Sequence, residues 1–195
     1  MALSETDSIP VPPVTPGVAR ALSPLVRRIT APAAEGSDAE FGVNSYLVGI
    51  DEIVIVDPGP MDPTHLDILL GCGGEHIKWI VLTSSDPEFS ESALHLKKKT
   101  GAKLIALSDV EGVDEVLGDG VKIDATEFRL IAMKIGRSGK KFAYVLEQER
   151  AMFTGDHITD TVPKELVKKI KPFRIRAIAP GHGQYIEDAR PMMAD

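Results

Sequence analysis

Two apolar runs open the patterned part of the chain, which begins near Val26. They cover residues 44–49 and 52–57, and Gly49-Ile50-Asp51 lies between them as a turn. The second run is rich in β-branched side chains, which favour strands. Two such runs around a short glycine-containing turn predict a β-hairpin.

Two helical stripes follow, and each starts at an Asp-Pro pair. Asp62-Pro63 and Asp86-Pro87 place a capping carboxylate before a proline, which suits the first position of a helix. Lysines at 97–99 and then Gly101 mark the end of the second helix, because cations and glycine are favoured there. The apolar residues 77–83 between the two helices predict a strand.

The remaining pattern consists mostly of strands. Strands are predicted at 103–107, 121–123, 128–133, 142–146, 151–153 and 174–179, and a short helix at 162–170. A strand-rich chain with interspersed helices buries its apolar surface when helices cover the outer faces of two packed sheets. We therefore predict an α/β fold of the α+β type, an αββα sandwich.

The composition indicates one domain preceded by an arm. Of the 195 residues, 43% are hydrophobic and 26% are charged, which suits a single globular unit. Residues 1–24 are rich in proline, and we predict an extended N-terminal arm there. The domain is predicted to cover residues 25–195.

The net charge and the cysteine content limit the kinds of partner and compartment that the protein is expected to have. A formal net charge of -7 makes a nucleic-acid partner an unfavourable choice, because phosphate binding normally needs a positive surplus. Cys72 is the single cysteine, so no internal disulfide can form and a cytoplasmic location is expected. No apolar run reaches the roughly 18 residues of a membrane helix, and no membrane association is expected.

Three motifs occur in a fixed order along the chain. They are residues 55–60 (Ile-Val-Asp-Pro-Gly-Pro), 153–157 (Phe-Thr-Gly-Asp-His) and 179–183 (Ala-Pro-Gly-His-Gly). Together with the strand that ends at Leu82-Thr83, they resemble the metallo-β-lactamase superfamily, most closely its glyoxalase II and β-lactamase-like hydrolase branch. The resemblance covers roughly residues 26–186 and implies the αββα sandwich.

The resemblance also identifies which residues stand at the metal-ligand positions. The family signature is His-x-His-x-Asp-His, followed by a Pro-Gly-His, a bridging aspartate and a final Gly-His, which hold one or two metal ions. Here the corresponding positions are occupied by Ser84, Asp86, Glu88, Arg137, Asp156 and His182. The histidines of the first metal site are therefore replaced.

A guanidinium stays charged at any relevant pH, and it repels a divalent ion. We therefore hypothesise that Arg137 replaces the metal, pairing with Asp156 and with Asp86 or Glu88. In this interpretation the chain is a pseudoenzyme without a cofactor or catalytic residues. It would have a binding or regulatory role towards an unknown protein or a small anionic ligand, and it could form a homo-oligomer.

Two alternatives stay open. In the first, Asp86, Glu88, Asp156 and His182 hold one divalent ion (Mn, Mg or Zn) and the protein hydrolyses an ester, thioester or phosphodiester. In the second, Arg137 with Ser84 and Ser85 binds a small anion beside a helix start. For single residues, helix capping by Asp86 and turn formation by Asp57 are the structural interpretations.

Overall fold

Two β-sheets pack face to face, and helices cover their outer faces. The structure, a computed structural model, describes residues 14–33 and 42–193. Residues 1–13 of the predicted arm lie outside the described residues. The described end of the arm lies against the first sheet, since the Gly17 N–H donates to the Thr30 carbonyl at 2.9 Å and Arg20–Ala21 form an edge strand.

The first sheet has seven strands in the order in which they occur in the chain. They are β1 (Arg20–Ala21), β2 (Val26–Ala31), β3 (Val43–Val48), β4 (Ile53–Val56), β5 (Ile77–Val81), β6 (Lys103–Ala106) and β7 (Glu115–Val116). The strands β1 to β4 are antiparallel, and β4 to β7 are parallel. The antiparallel pairing of β3 with β4 confirms the predicted hairpin.

The second sheet has five strands in the order β12-β11-β10-β9-β8. They are β8 (Lys122–Asp124), β9 (Arg129–Lys134), β10 (Phe142–Leu146), β11 (Ala151–Gly155) and β12 (Ala177–Pro180). Neighbouring strands are antiparallel except β11 and β12. Parallel neighbours require a crossover connection, and helix α3 (Lys164–Ile170) lies in that connection.

Both helices on the first sheet begin where the Asp-Pro pairs predict. Helix α1 covers Pro63–Gly73, and the Asp62 carboxylate accepts a hydrogen bond from the His65 N–H at 2.7 Å. Helix α2 covers Pro87–Thr100 and ends at Gly101, which adopts the left-handed conformation with φ of 72°. These caps satisfy backbone groups that have no partner within the helix.

The apolar core has two parts that lie on opposite faces of the second sheet. Along β9, Leu130 and Ala132 belong to the cluster between the sheets, whereas Ile131 and Met133 belong to the cluster under α3. This alternation follows from the two-residue period of a strand. The layers are therefore α1 with α2, the seven-stranded sheet, the five-stranded sheet, and α3, which confirms the predicted αββα sandwich.

The structure departs from the predicted elements at short or irregular segments. The last strand begins at Ala177 rather than at Arg174, because residues 171–173 form a 3-10 turn and Arg174 has a positive φ of 50°. Strands β1 and β7 were not predicted, since two residues give no periodicity. None of the helices within residues 14–33 and 42–193 is long and apolar enough to span a bilayer.

The four-layer arrangement predicts that α3 is held by its buried leucine. Leu166 is 2% exposed in the outer cluster, whereas Lys168 on the same helix is exposed. We expect Leu166→Ala to lower the free energy of unfolding by about 3 kcal/mol, because the change leaves a cavity. Lys168→Ala is the control and should change it by less than about 0.5 kcal/mol. Urea denaturation measures both, and equal effects would contradict the packing of α3.

Candidate functional site

Thr83, just beyond the end of β5, is the centre of the candidate site. Its N–H and its hydroxyl both donate to the Asp57 carboxylate, each at 2.8 Å. Asp57 follows β4, the parallel neighbour of β5, so the two residues meet at the carboxyl edge of the sheet. Open α/β sheets commonly bind ligands at this edge.

Asp57 combines an unusual backbone conformation with a buried charge. Its φ is 51°, a left-handed conformation that Asp and Asn tolerate better than most residues, and its side chain is 3% exposed. Burial raises the pKa of Asp57 to about 7, and nearby Asp156 and Asp86 act in the same direction, while the Thr83 hydrogen bonds oppose the shift. Asp57 therefore has a second role besides the predicted turn, because its carboxylate also holds Thr83.

The second sheet is attached to the same threonine. The Thr83 carbonyl accepts hydrogen bonds from the Phe142 N–H at 2.9 Å and from His157 Nε2 at 3.2 Å. Gly155 packs against it so closely that a Cβ at this position would lie 2.2 Å from the Thr83 hydroxyl oxygen. Because β10 begins and β11 ends beside Thr83, the Asp156-His157 pair is placed beside the carboxyl edge of the first sheet.

Three side chains from the first sheet hold the loop of residues 180–183. Asn44 Nδ2 donates to the carbonyls of Pro180 and Gly183, both at 3.0 Å. The Tyr46 hydroxyl donates to the Pro180 carbonyl at 2.6 Å, and Arg28 Nη1 donates to the Gly183 carbonyl at 3.1 Å. The loop that carries His182 is therefore fixed by contacts to β2 and β3.

His182 is held at both ring nitrogens. Its Nδ1 lies 2.7 Å from the Gly42 carbonyl, which can only accept, so Nδ1 carries a proton. Its Nε2 lies 3.1 Å from Asp156 Oδ1, and the carboxylate favours a proton there as well. The pKa of His182 is raised, chiefly by the hydrogen bond to Asp156, so the carboxylate stabilises the protonated form of the ring.

The other residues predicted at the ligand positions do not join this pair. Ser84 forms a β-bridge with Lys141, and Asp86 caps α2 by accepting from the Glu88 N–H at 3.0 Å. Glu88 is exposed in the first turn of that helix. The capping role predicted for Asp86 is confirmed.

The ion pairs predicted for Arg137 are not formed, and that part of the hypothesis is wrong in this structure. Arg137 is exposed between β9 and β10, and no ion pair among residues 14–33 and 42–193 includes it. Gly136 and Gly139 on either side have φ of 66° and 73°, so this segment is a turn in which an exposed guanidinium keeps its hydration.

The side chains at this site are too few to hold a metal ion. Within the described parts of the chain, no group of three or more His, Cys, Asp or Glu residues is arranged to hold one. Only His182 and Asp156 are adjacent, whereas metal sites built from protein groups use three or four ligands. The residues present therefore do not fit the one- or two-metal centre that the fold implies.

A cavity of about 380 Å³ lies directly beside the His182–Asp156 pair. Its apolar lining comes from Ile158, Pro180 and Ile186, and Thr159 also lines it, with its hydroxyl donating to Asp160 at 3.3 Å. This volume lies within the range of small-molecule sites. Sequence reasoning missed this cavity because its walls come from residues 155–159 and 180–186, which meet only through the parallel pairing of β11 with β12.

Comparison with solved structures identifies the fold. The β-lactamase domain protein from Burkholderia ambifaria has a TM-score of 0.71 at 14% identity, over 95% of this chain and 73% of that chain. The metallo-β-lactamase FIM-1 from Pseudomonas aeruginosa, in its mono-zinc form, has a TM-score of 0.68 at 16% identity, over 93% of each chain. The apo state of the chemotaxis sensor ODP from T. denticola has a TM-score of 0.62 at 18% identity, over 88% of each chain.

This chain therefore has the fold of the metallo-β-lactamase superfamily, as the sequence motifs predicted. No protein-family model matches the sequence, and no curated protein matches it at a significant level. The likeness is one of fold, and function has to be argued from the site itself.

Asp57 predicts a pH-dependent stability. Its pKa rises from 3.8 to about 7 on folding, so its contribution is fully present below pH 4 and is lost as the pH rises towards 7. A shift of this size corresponds to about 4 kcal/mol. Asp57→Asn cannot ionise and suits the positive φ, so its stability should fall less than that of the wild type between pH 4 and pH 8.

Urea denaturation at several pH values measures this difference. The exposed Asp67→Asn on α1 is the control and should keep the wild-type slope. Parallel curves for wild type and Asp57→Asn would show that the buried carboxyl does not titrate as described.

The His182–Asp156 pair predicts a second measurable shift. Asp156→Asn removes the carboxylate, so we expect the pKa of His182 to fall towards its ordinary value in an NMR titration. Because folding raises the pKa of His182, its contribution to stability is present below about pH 6.5 and is lost as the pH rises through the folded-state pKa. Asp160→Asn, in the next exposed turn, is the control. An unchanged pKa in Asp156→Asn would show that the pair is open in solution.

Proposed function

We propose that this protein is a pseudoenzyme, a ligand-binding protein on a metallo-β-lactamase fold that has lost metal-dependent hydrolysis. The observation that carries the proposal is the contact between His182 and Asp156. The other residues at the ligand positions do not take part in it. In the superfamily that the sequence resembles, the six corresponding positions surround the metal. Here Asp86 caps a helix, Ser84 bridges to Lys141, and Glu88 and Arg137 are exposed.

The chemistry of the pair supports binding rather than hydrolysis. Metal-dependent hydrolysis in this fold depends on lowering the pKa of a bound water to about 7, and that needs an ion held by several ligands. His182 already engages both ring nitrogens, Nδ1 with the Gly42 carbonyl and Nε2 with the Asp156 carboxylate. It can instead donate one hydrogen bond to a ligand if Asp156 gives way, while the carboxylate accepts another.

The cavity beside the pair supports the same role. Its apolar wall of Ile158, Pro180 and Ile186 would contact the body of a small molecule, and His182, Asp156 and Thr159 would fix its orientation. Small-molecule sites commonly combine a largely apolar wall with a few convergent polar groups. A regulatory role would follow if the bound molecule altered the held loop of residues 180–183.

A second candidate is a hydrolase with one divalent ion on an altered site. The contact of 3.1 Å between His182 Nε2 and Asp156 Oδ1 favours it, because two ligands of one ion also lie close together. Asp86 and Glu88 would have to leave their present positions at the start of α2 to complete that site. Measurement of metal content and thermal shifts separates this candidate from the ligand-binding protein.

Metal content and thermal shifts test the proposal. For wild-type protein purified without chelator, we expect less than one metal per chain and no change in Tm with zinc, manganese or EDTA. Ser84→His/Asp86→His/Arg137→His places histidines at the three positions that the family resemblance assigns to the first metal site. We expect this variant to bind zinc and to gain about 2.7 kcal/mol of stability at a zinc concentration 100 times Kd.

The matched control is Ser84→Ala/Asp86→Ala/Arg137→Ala, which changes the same positions without adding ligands and should not respond to zinc. One tightly held metal per wild-type chain would support the hydrolase instead, provided that His182→Ala and Asp156→Ala both remove it.

A further inference from the structure

A buried arginine lies beneath the loop of residues 180–183. Arg28 on β2 is 3% exposed, and its one hydrogen bond within residues 14–33 and 42–193 runs from Nη1 to the Gly183 carbonyl at 3.1 Å. No ion pair of these residues includes it. A guanidinium has five N–H donors, and a buried one is normally paired with a carboxylate. One carbonyl leaves most of this hydrogen-bonding capacity unused.

A second arginine stands directly across the strand pair. Arg20 on β1 is the register partner of Arg28, so both side chains project from the same face of the sheet. Like charges directly opposite each other on neighbouring strands repel. Burial and, to a smaller extent, Arg20 lower the pKa of Arg28, but a guanidinium remains charged at neutral pH. The register therefore concentrates positive charge in a chain whose formal net charge is -7.

A cavity of about 220 Å³ lies between these side chains. It is lined by Thr15, Val18, Ala19, Arg20, Arg28 and Thr30, and none of these residues is acidic. A water molecule occupies about 30 Å³ of liquid, so the cavity has room for a small polyatomic anion with some water.

We propose that this cavity binds a small oxyanion, such as a phosphate group, between Arg20 and Arg28. The fork of a guanidinium matches two oxygens of one phosphate, and a bridging anion turns the repulsion between the arginines into two attractions. The site is distinct from the cavity beside His182. The two are nevertheless connected, because Arg28 also donates to the Gly183 carbonyl in the loop that carries His182.

The rest of the hydrogen bonding around the cavity is compatible with an anion. The Thr30 hydroxyl donates to Asn44 Oδ1 at 2.8 Å, and Asn44 in turn donates to the carbonyls of Pro180 and Gly183. These groups satisfy one another, so within residues 14–33 and 42–193 the donors left at the cavity are those of the arginines and the Thr15 hydroxyl. An oxyanion would therefore complete the coordination of Arg28 without displacing an existing bond.

Isothermal titration with inorganic phosphate at constant ionic strength tests the proposal. We expect one site per wild-type chain. Arg20→Gln and Arg28→Met should each weaken binding by about tenfold or more, because each removes charge-assisted hydrogen bonds. Arg137→Gln removes one exposed positive charge elsewhere and should leave binding unchanged. Arg20 lies on an edge strand and is partly exposed, so Arg20→Gln gives a result even if Arg28→Met does not fold.

Three outcomes would overturn the proposal. Phosphate binding that survives both Arg20→Gln and Arg28→Met would place the anion elsewhere. Binding lost only in Arg137→Gln would place it beside Ser84 and Ser85. A wild-type chain that binds no phosphate would show that no added anion balances the arginines.

Discussion

The double hydrogen bond between Asp57 and Thr83 is the constraint on which the candidate site depends. It joins the ends of two parallel strands. The carbonyl of the same threonine accepts hydrogen bonds from Phe142 and His157 of the second sheet. Gly155 is required where β11 meets Thr83, because any side chain there would collide with the hydroxyl. The relative position of the two sheets at their carboxyl edge is thus set by one buried carboxyl and one threonine.

That arrangement explains why the ligand positions can change without loss of the fold. The loop of residues 180–183 is held by Asn44, Tyr46 and Arg28, and Thr83 is held by Asp57. All of these contacts join protein groups to one another, and none of them uses a ligand position. The framework therefore holds His182 and Asp156 in place whatever stands at positions 84, 86, 88 and 137. The described contacts that hold this edge of the fold are therefore independent of the side chains at those four positions.

Local signals predicted the elements well, and distant contacts explain what was missed. The caps at Asp62 and Asp86 were predicted because a carboxylate and the N–H it accepts from are two or three residues apart. The Asp57–Thr83 contact joins residues 26 positions apart and requires the register of β4 with β5. The ion pairs expected for Arg137 depended on the path of a glycine-rich turn, which sequence pattern does not determine. The adjacency of Asp156 and His182 was accessible only through the family resemblance.

The two cationic features of the molecule differ in what balances them. His182 has Asp156 beside one ring nitrogen and a carbonyl at the other, so a proton on the ring is compensated within the protein. Arg28 is more deeply buried, its one hydrogen-bond partner in the described part of the chain is a carbonyl, and its strand neighbour adds a second positive charge. Burying a cation is costly unless an anion accompanies it. Because both features are attached to the loop of residues 180–183, whatever balances Arg28 also bears on the position of His182.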